Sequence, residues 1–183
     1  MLMAKNPIYV LLLLVLILFG CTNEKTKMQN EIASLEKVLH GDSSNKPDYS
    51  KAEKMIALYE TYANKFPDDS ICADYLFRAA DISGHINKIN QACDLYNMVV
   101  VKYPASFKTP YALFMQAFLY ETSMNDIDKA REKYNQFISK YPKHELWDDA
   151  NQSLANLGLP LDELVKKWET QNDTSNQTTT QVN

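Results

Sequence analysis

The sequence is poor in the residues that mark several classes of protein. Its 183 residues include only 4 Gly and 7 Pro, which excludes a collagenous or low-complexity chain and argues against a turn-rich β-sandwich. Its 3 Cys are too few for a scaffold held together by disulfides. The formal net charge of −4 excludes a strongly basic nucleic-acid binder. What remains is the composition of an ordinary folded protein, with 45% apolar and 23% charged residues.

The N-terminus has the organisation of an export signal. Lys5 precedes an unbroken apolar run, Ile8 to Leu18, and a polar stretch begins at Thr22. A membrane-spanning helix needs about 20 apolar residues, so this run is too short to span and has the length of a signal-peptide core. The pattern therefore predicts a signal peptide over residues 1–20.

The end of this segment, Leu18-Phe19-Gly20-Cys21, resembles the lipobox of bacterial lipoproteins. The resemblance implies cleavage before Cys21 and covalent lipid on its thiol, and two or three acyl chains are enough for stable anchoring. Because Thr22 rather than Asp follows, it also implies sorting to the outer membrane, facing the periplasm. A signal peptide that merely contains a Cys, or a signal anchor, stays open.

The middle of the chain repeats one pattern three times. An apolar residue is followed by further apolar residues at offsets of 4, 7 and 11 and by proline at 12. The copies are Met55, Tyr59, Tyr62, Phe66, Pro67; Ala92, Tyr96, Val99, Tyr103, Pro104; and Ala130, Tyr134, Phe137, Tyr141, Pro142. These offsets place the residues on one helix face, and proline disfavours helix in the residue before it. The pattern predicts three helices that each end at an aromatic-proline pair.

A second helix is expected after each pair, with a small residue thirteen positions beyond the proline. These residues are Ala80, Ala117 and Ala155, and they allow the close approach of two helix backbones. Gly84 is expected to end one such helix at its C′ position, with Asn87 and Asp126 as N-caps of the helices that follow.

This frame resembles the tetratricopeptide repeat, a helical hairpin of about 34 residues. The matching positions are Ala80, Ala92, Tyr96, Tyr103 and Pro104, then Ala117, Ala130, Tyr134, Tyr141 and Pro142. The resemblance extends to tetratricopeptide-repeat lipoproteins of Gram-negative bacteria, including the outer-membrane assembly lipoprotein and cell-division coordinator groups. It implies an all-α, TPR-like solenoid of antiparallel helical hairpins.

The chain divides accordingly into five parts. They are the signal peptide over 1–20, an N-terminal helix and loop over 21–49, the repeats over 50–158, a C-terminal capping helix over 159–170, and a disordered tail over 171–183. The capping helix is expected to bury Leu161, Leu164, Val165 and Trp168 on one face. The tail is Thr-, Gln- and Asn-rich and cannot bury enough apolar area to order itself.

By the same resemblance, one helix face per repeat lines a concave groove. The groove positions are Asp74, Phe77 and Asp81 in one repeat and Tyr111, Phe114, Phe118 and Glu121 in the next. Two interpretations stay open: the aromatic side chains pack against the neighbouring repeat, or they anchor a bound peptide. Aromatic side chains flanked by acids suit a segment that carries Lys or Arg.

Residues that would carry chemistry are sparse. His40, His85 and His144 each lie near a predicted helix end and are not spaced as metal ligands, so no metal site is expected. There is no Gly-rich phosphate loop or nucleophile elbow. Cys72 and Cys93 are either two buried small residues or a disulfide. The sequence predicts a protein that is not an enzyme and has no cofactor beyond the lipid on Cys21.

The functional expectation is a binding scaffold. We expect an outer-membrane-anchored periplasmic lipoprotein that binds envelope proteins through its repeats, with a role in envelope or outer-membrane protein assembly. Its partners are expected to be proteins and the anchoring membrane, not nucleic acid or a small-molecule substrate. The alternative is a structural linker between the outer membrane and peptidoglycan or the cell-division machinery.

Overall fold

A computed structural model of the protein describes residues 23–39, 48–167 and 169. Within these ranges the chain forms eight α-helices and no strand, which confirms the expected all-α class. The helices are α1 (23–39), α2 (Tyr49–Lys65), α3 (Cys72–His85), α4 (Ile89–Lys102), α5 (Lys108–Thr122), α6 (Ile127–Lys140), α7 (Trp147–Asn156) and α8 (161–167). The predicted leader, Cys21, His40, Trp168 and the tail over 171–183 lie outside the described residues.

The repeated apolar stripe is the core of α2, α4 and α6. Its members are at most 2% exposed in all three helices: Met55, Tyr59, Tyr62; Ala92, Tyr96, Val99; and Ala130, Tyr134, Phe137. Burial of each large side chain removes apolar area from water and contributes roughly 1.5–3 kcal/mol. The periodicity read from the sequence therefore identifies the packed face of each helix.

The three aromatic-proline pairs end their helices with one geometry. Phe66, Tyr103 and Tyr141 have φ of −127°, −126° and −128° and ψ of 56°, 53° and 56°. Each of these residues still donates its backbone N–H to the carbonyl four residues earlier. The proline that follows prevents the next helical turn, because its ring disfavours a helical conformation in the preceding residue.

The turn between α3 and α4 differs from the expectation. Gly84 was expected as the C′ residue and Asn87 as the N-cap, and both assignments are wrong. α3 continues to His85, and Asn87 takes the left-handed conformation with φ of 62°. The Lys88 N–H donates to Ser83 O at 2.8 Å and the Asn87 N–H to Gly84 O at 3.0 Å, which is a Schellman motif. Asn tolerates this conformation, and Gly84 remains inside the helix.

The N-cap expected at Asp126 is confirmed. Its side chain accepts a hydrogen bond from the Lys129 backbone N–H at 3.1 Å and so satisfies one of the open donors of the first turn of α6. α2 is capped in the same way by Asp48, which accepts from the Lys51 N–H at 3.1 Å.

The chain forms two compact units, and the boundary lies inside α5, between Ala112 and Leu113. In the first unit α3 packs against both α2 and α4, and in the second α6 packs against α7. Ala80 and Ala117 are fully buried, as a close helix approach requires, but Ala155 is exposed. The expectation for Ala155 is wrong because α7 ends one residue later, at Asn156, and this last turn is not covered.

The C-terminal helix α8 docks differently from the prediction. Leu161 is 72% and Val165 is 40% exposed, so these two members of the predicted apolar face are not buried. Leu164 is partly buried, and Lys167 Nζ donates to Asn156 Oδ1 at 2.6 Å. The same ammonium group also donates to the Ala155 carbonyl oxygen at 3.5 Å, so Lys167 ties α8 to the end of α7.

Candidate functional site

One hydrogen bond recurs in each of three helix pairs. The stripe tyrosine donates its hydroxyl proton to a carboxylate of the preceding helix: Tyr59 to Glu36 at 2.5 Å, Tyr96 to Asp81, and Tyr134 to Glu121 at 2.7 Å. Two of these acids, Asp81 and Glu121, are predicted groove residues. Both therefore have a structural partner inside the hairpin.

The predicted groove face of α3 holds a cation from the chain itself. Lys108 Nζ lies 4.7 Å from the centroid of the Phe77 ring and 3.3 Å from Asp74 Oδ1. A second ring, that of Phe107, lies 5.2 Å from the same nitrogen. An ammonium group over an aromatic face and beside a carboxylate is attracted by both. This face is thus built in a way that accommodates a basic side chain, and Lys108 occupies it.

Asp74 has a second cationic partner. Arg78 Nη2 lies 2.7 Å from Asp74 Oδ2, one helical turn away, and Arg78 Nη1 donates to Glu36 Oε1 at 3.0 Å. With Lys108, this gives two cations and two carboxylates in one surface network. The network is neutral, so Asp74 presents little uncompensated negative charge.

The α5 face in the second unit is partly committed to packing. Phe114 makes edge contacts with Tyr134 and Phe137, with ring centroids 5.8 and 5.7 Å apart. Phe118 is 42% exposed and is the large apolar side chain of this face that is most available to a partner. Phe114 therefore fits the interpretation in which the ring packs inside the domain, whereas Phe118 stays a candidate to contact a bound peptide. Tyr111, which belongs to the first unit, is partly buried.

A small acidic cavity of about 320 Å³ lies in the second unit. It is lined by Glu121, Asp149, Gln152, Ser153, Asn156 and Leu164. The four α7 residues among these were not identified from the sequence. They follow one another at offsets of 3, 1 and 3, which is the spacing of residues on a single helix face. This polar stripe in the sequence could have identified them. Two carboxylates and three neutral polar side chains suit an ammonium or guanidinium group.

A larger groove of about 970 Å³ lies in the first unit. One wall is the start of α3 and the loop before it, and the other is the loop that follows α4. Its lining is Ser70, Ile71, Ala73, Asp74, Arg78, Lys102, Tyr103, Pro104, Ala105, Ser106 and Phe107. Phe107 is 72% exposed at its edge. Tyr103 and Pro104 were expected to have only a structural role.

The N-terminal helix is tied to this end of the first unit. Lys25 Nζ lies 2.8 Å from Asp69 Oδ2, and the hydroxyl of the buried Tyr62 donates to the same carboxylate. Lys65 is also paired with Glu24. Although burial acts in the opposite direction, the hydrogen bonds from Lys25 and Tyr62 hold the pKa of Asp69 below its ordinary value. The first turn of α1 is thus fixed beside the loop between α2 and α3.

Burial dominates the electrostatics of the hairpin interiors. It raises the pKa of the Asp81 carboxyl and, with the help of the Asp81 charge, raises the pKa of Tyr96. Burial and the neighbouring Cys72 raise the pKa of Tyr103 to about 12. Cys72 and Cys93 are both buried thiols, and burial also raises the pKa of Cys72. These shifts stabilise the neutral forms of the buried groups.

Clustered metal ligands and membrane-spanning helices are both absent from the part of the chain that the structure describes. There, no group of three or more His, Cys, Asp or Glu side chains is arranged to hold a metal ion. Over the same residues, no helix combines the length and the apolar character needed to cross a membrane. The His85 Nδ1–H donates to the Asp81 carbonyl oxygen at 2.7 Å, which is a local contact at the helix end.

Comparison with known protein families agrees with the repeat frame. Residues 74–106 and 111–144 match the tetratricopeptide repeat. The first match covers most of α3 and all of α4, and the second covers most of α5 and all of α6. No curated protein sequence matches the chain. These two matches and the described helices support the all-α, TPR-like solenoid fold expected from the sequence. Such repeats bind other proteins and are typically non-enzymatic interaction scaffolds.

Proposed function

We propose that this scaffold is an outer-membrane lipoprotein, anchored by lipid on Cys21 and facing the periplasm, that binds envelope proteins during envelope or outer-membrane protein assembly. The observation that carries the anchor is the sequence Leu18-Phe19-Gly20-Cys21 directly after the apolar run. Helix α1 is described from residue 23 and buries Ile32 to 1% exposure, so a folded part of the chain lies close in sequence to the proposed lipid.

The partner segment is proposed to carry Lys or Arg. The support comes from the cavity of the second unit, because its lining of Glu121 and Asp149 suits an ammonium or guanidinium group. Lys108, which lies beside Phe77 and Asp74, is an example of the same kind of contact made within the chain. Charge complementarity of this kind sets partner choice and association rate. The mode of action is binding, without catalysis and without a cofactor beyond the lipid.

A crosslinking experiment in intact cells tests the binding proposal. A photo-crosslinking phenylalanine analogue replaces Phe118, which is 42% exposed, and in the matched control replaces Glu132, whose side chain is 71% exposed on α6. We expect capture of one envelope protein from position 118 only, through a peptide that contains Lys or Arg. The double variant Glu121→Gln, Asp149→Asn should lower that capture about tenfold, because it removes both carboxylates of the cavity.

The same experiment can overturn the proposal. Equal capture from both positions, or capture that the double variant leaves unchanged, would show that the acidic cavity does not select the partner. Cys21→Ser tests the anchor separately, since it should release the protein from the outer-membrane fraction. Co-sedimentation of the full chain with purified peptidoglycan would favour the structural linker instead.

A further inference from the structure

No segment among the described residues occupies the large groove of the first unit, and the position of the groove relative to residue 23 suggests an occupant. We propose that this groove faces the anchoring membrane, and that Phe107, Pro104 and Ala105 insert among lipid headgroups while Lys102 meets anionic lipid. The inference rests on the proposed lipid anchor at Cys21. It goes beyond that anchor because it assigns a second, non-covalent membrane contact and an orientation to the first unit.

The proposed anchor lies close in sequence to the described helix α1. Only Thr22 stands between Cys21 and residue 23, the first described residue of α1, so the Cα atoms of residues 21 and 23 are at most about 7 Å apart. The first turn of α1 is in turn held in place by the Lys25–Asp69 pair at 2.8 Å and by the Lys65–Glu24 pair. An acyl-bearing Cys21 therefore brings the Asp69 loop close to the bilayer surface.

The same loop forms one wall of the groove. Ser70 and Ile71 follow Asp69 directly and line it. The opposite wall lies next to the start of α3, because the Cys72 thiol lies beside Tyr103 of that wall. Each of the two groups affects the pKa of the other. α2 and α4 both end here and α3 begins here, so the groove lies at the end of the first unit where the described part of α1 starts.

The exposed side chains have the chemistry of an interfacial contact. Phe107 is 72% exposed, and Pro104 and Ala105 beside it are exposed as well. A surface that combines apolar side chains with basic ones binds at the boundary between headgroups and acyl chains. Lys102 is exposed on the same wall, whereas the Asp74 charge in the groove is already compensated by Arg78 and Lys108. The surface is therefore apolar around Phe107, with Lys102 available to anionic lipid on one wall and the exposed Asp68 near Tyr103 on the other.

A basic peptide is a poorer occupant of this surface. Segments with Lys or Arg suit the acidic cavity of the second unit, which has Glu121 and Asp149 in its lining. The groove of the first unit instead has Arg78 and Lys102 in its lining.

Fluorescence quenching in vesicles tests the contact. The full lipidated chain carries a single added cysteine, Phe107→Cys, labelled with the fluorophore NBD, in vesicles of phosphatidylethanolamine and phosphatidylglycerol that contain nitroxide lipid. Cys72 and Cys93 are buried, and the Cys21 thiol carries the lipid, so the added thiol is the accessible one. The matched control is Asn90→Cys, an exposed position in the first turn of α4, about 18 Å along the helix axis from Lys102.

We expect on the order of twofold quenching at position 107 and little at position 90, because only the first lies at the headgroup layer. Far-ultraviolet circular dichroism checks that both labelled variants fold. Equal quenching at both positions, or none at either while the protein floats with the vesicles, overturns the membrane contact and leaves the anchor intact. Protein that does not float with the vesicles and carries no lipid by mass spectrometry overturns the proposed anchor itself.

Other occupants give other results. A second copy of the chain at the groove would shift the NBD emission at position 107 in detergent without vesicles, increasingly with protein concentration, and this would contradict the proposal. A protein segment in the groove would leave position 107 unquenched by nitroxide lipid and would contradict it as well.

Discussion

The Tyr134 hydroxyl donates to the Glu121 carboxylate at 2.7 Å, and so joins α6 to α5 within the second unit. Tyr134 is fully buried, whereas Glu121 is only partly buried and also lines the acidic cavity. The same carboxylate therefore serves the hairpin and the candidate binding surface. Stability and partner recognition are coupled at this residue.

Replacing Tyr134 with Phe is expected to destabilise the protein by about 1 kcal/mol, because a hydrogen bond to a partly buried carboxylate is lost while the packed ring is kept. Tyr49→Phe is the matched control, since Tyr49 is 57% exposed and should change the free energy of unfolding little. Urea denaturation of the two variants measures the difference. Equal destabilisation would show that the Tyr134 hydrogen bond contributes nothing.

Lys108→Gln should lower the free energy of unfolding by about 1 kcal/mol, because the ammonium group leaves both the Phe77 ring and the Asp74 carboxylate. Lys54→Gln removes an equal charge from a pair at 3.6 Å whose lysine side chain is 60% exposed, and it should have almost no effect. A double-mutant cycle of Lys108→Gln with Asp74→Asn isolates the ion pair. A coupling energy of zero would contradict the arrangement described for this face.

The left-handed residue in the α3–α4 turn gives a prediction about backbone strain. Asn87 has φ of 62°, so Asn87→Val should destabilise the protein by about 1–2 kcal/mol, whereas Asn87→Gly should be tolerated. Asn90→Val, at an exposed position of α4, controls for the loss of an Asn side chain. Thermal unfolding followed by circular dichroism ranks the three variants, and the proposed strain requires Asn87→Val to be the lowest.

Two carboxyl groups are expected to give opposite dependences of stability on pH. The pKa of Asp69 is below its ordinary value of 3.8 in the folded protein, so its contribution is full above that value and is lost as the pH falls through the lower, folded value. The pKa of Asp81 is raised by burial, so its contribution is present below pH 3.8 and is lost as the pH rises through the folded value.

Urea denaturation between about pH 2 and pH 6 measures both effects, because it extends to either side of the ordinary carboxyl pKa. Asp69→Asn should remove a rise in stability with pH, and Asp81→Asn should remove a fall. If the two variants changed the pH profile with the same sign, one of the two assignments would be wrong.

Local patterns were enough to predict the helices and their packed faces. The offsets from Met55 to Pro67, and their two repetitions, depend only on helical periodicity and on the effect of proline on the residue before it. These rules act within one helix, so they need no tertiary information. The same holds for the cap at Asp126, where the donor lies three residues away.

The turn and the groove depend on choices that local rules leave open. Gly84 and Asn87 can both adopt the left-handed conformation, and their spacing alone does not decide which residue ends α3. In the repeat frame Asp81 stands at the position equivalent to Phe118, and Glu121 at the position equivalent to Gly84. Both acids nevertheless accept a hydrogen bond from the stripe tyrosine of their own hairpin. The pairing of each acid with a tyrosine depends on how two helices pack against each other. The contact between Lys108 and Phe77 likewise forms only when the chain folds back against α3.

Phe66, Tyr103 and Tyr141 share one backbone geometry, so the point at which each helix ends does not depend on the surface residues of the repeat. An aromatic-proline pair at the end and an apolar stripe along one face are enough to fix where each helix stops. The outward-facing positions of the helix do not determine where it ends. Their charges can change from one repeat to the next without altering the frame, and this leaves the molecule free to acquire new partners by substitution on its surface alone.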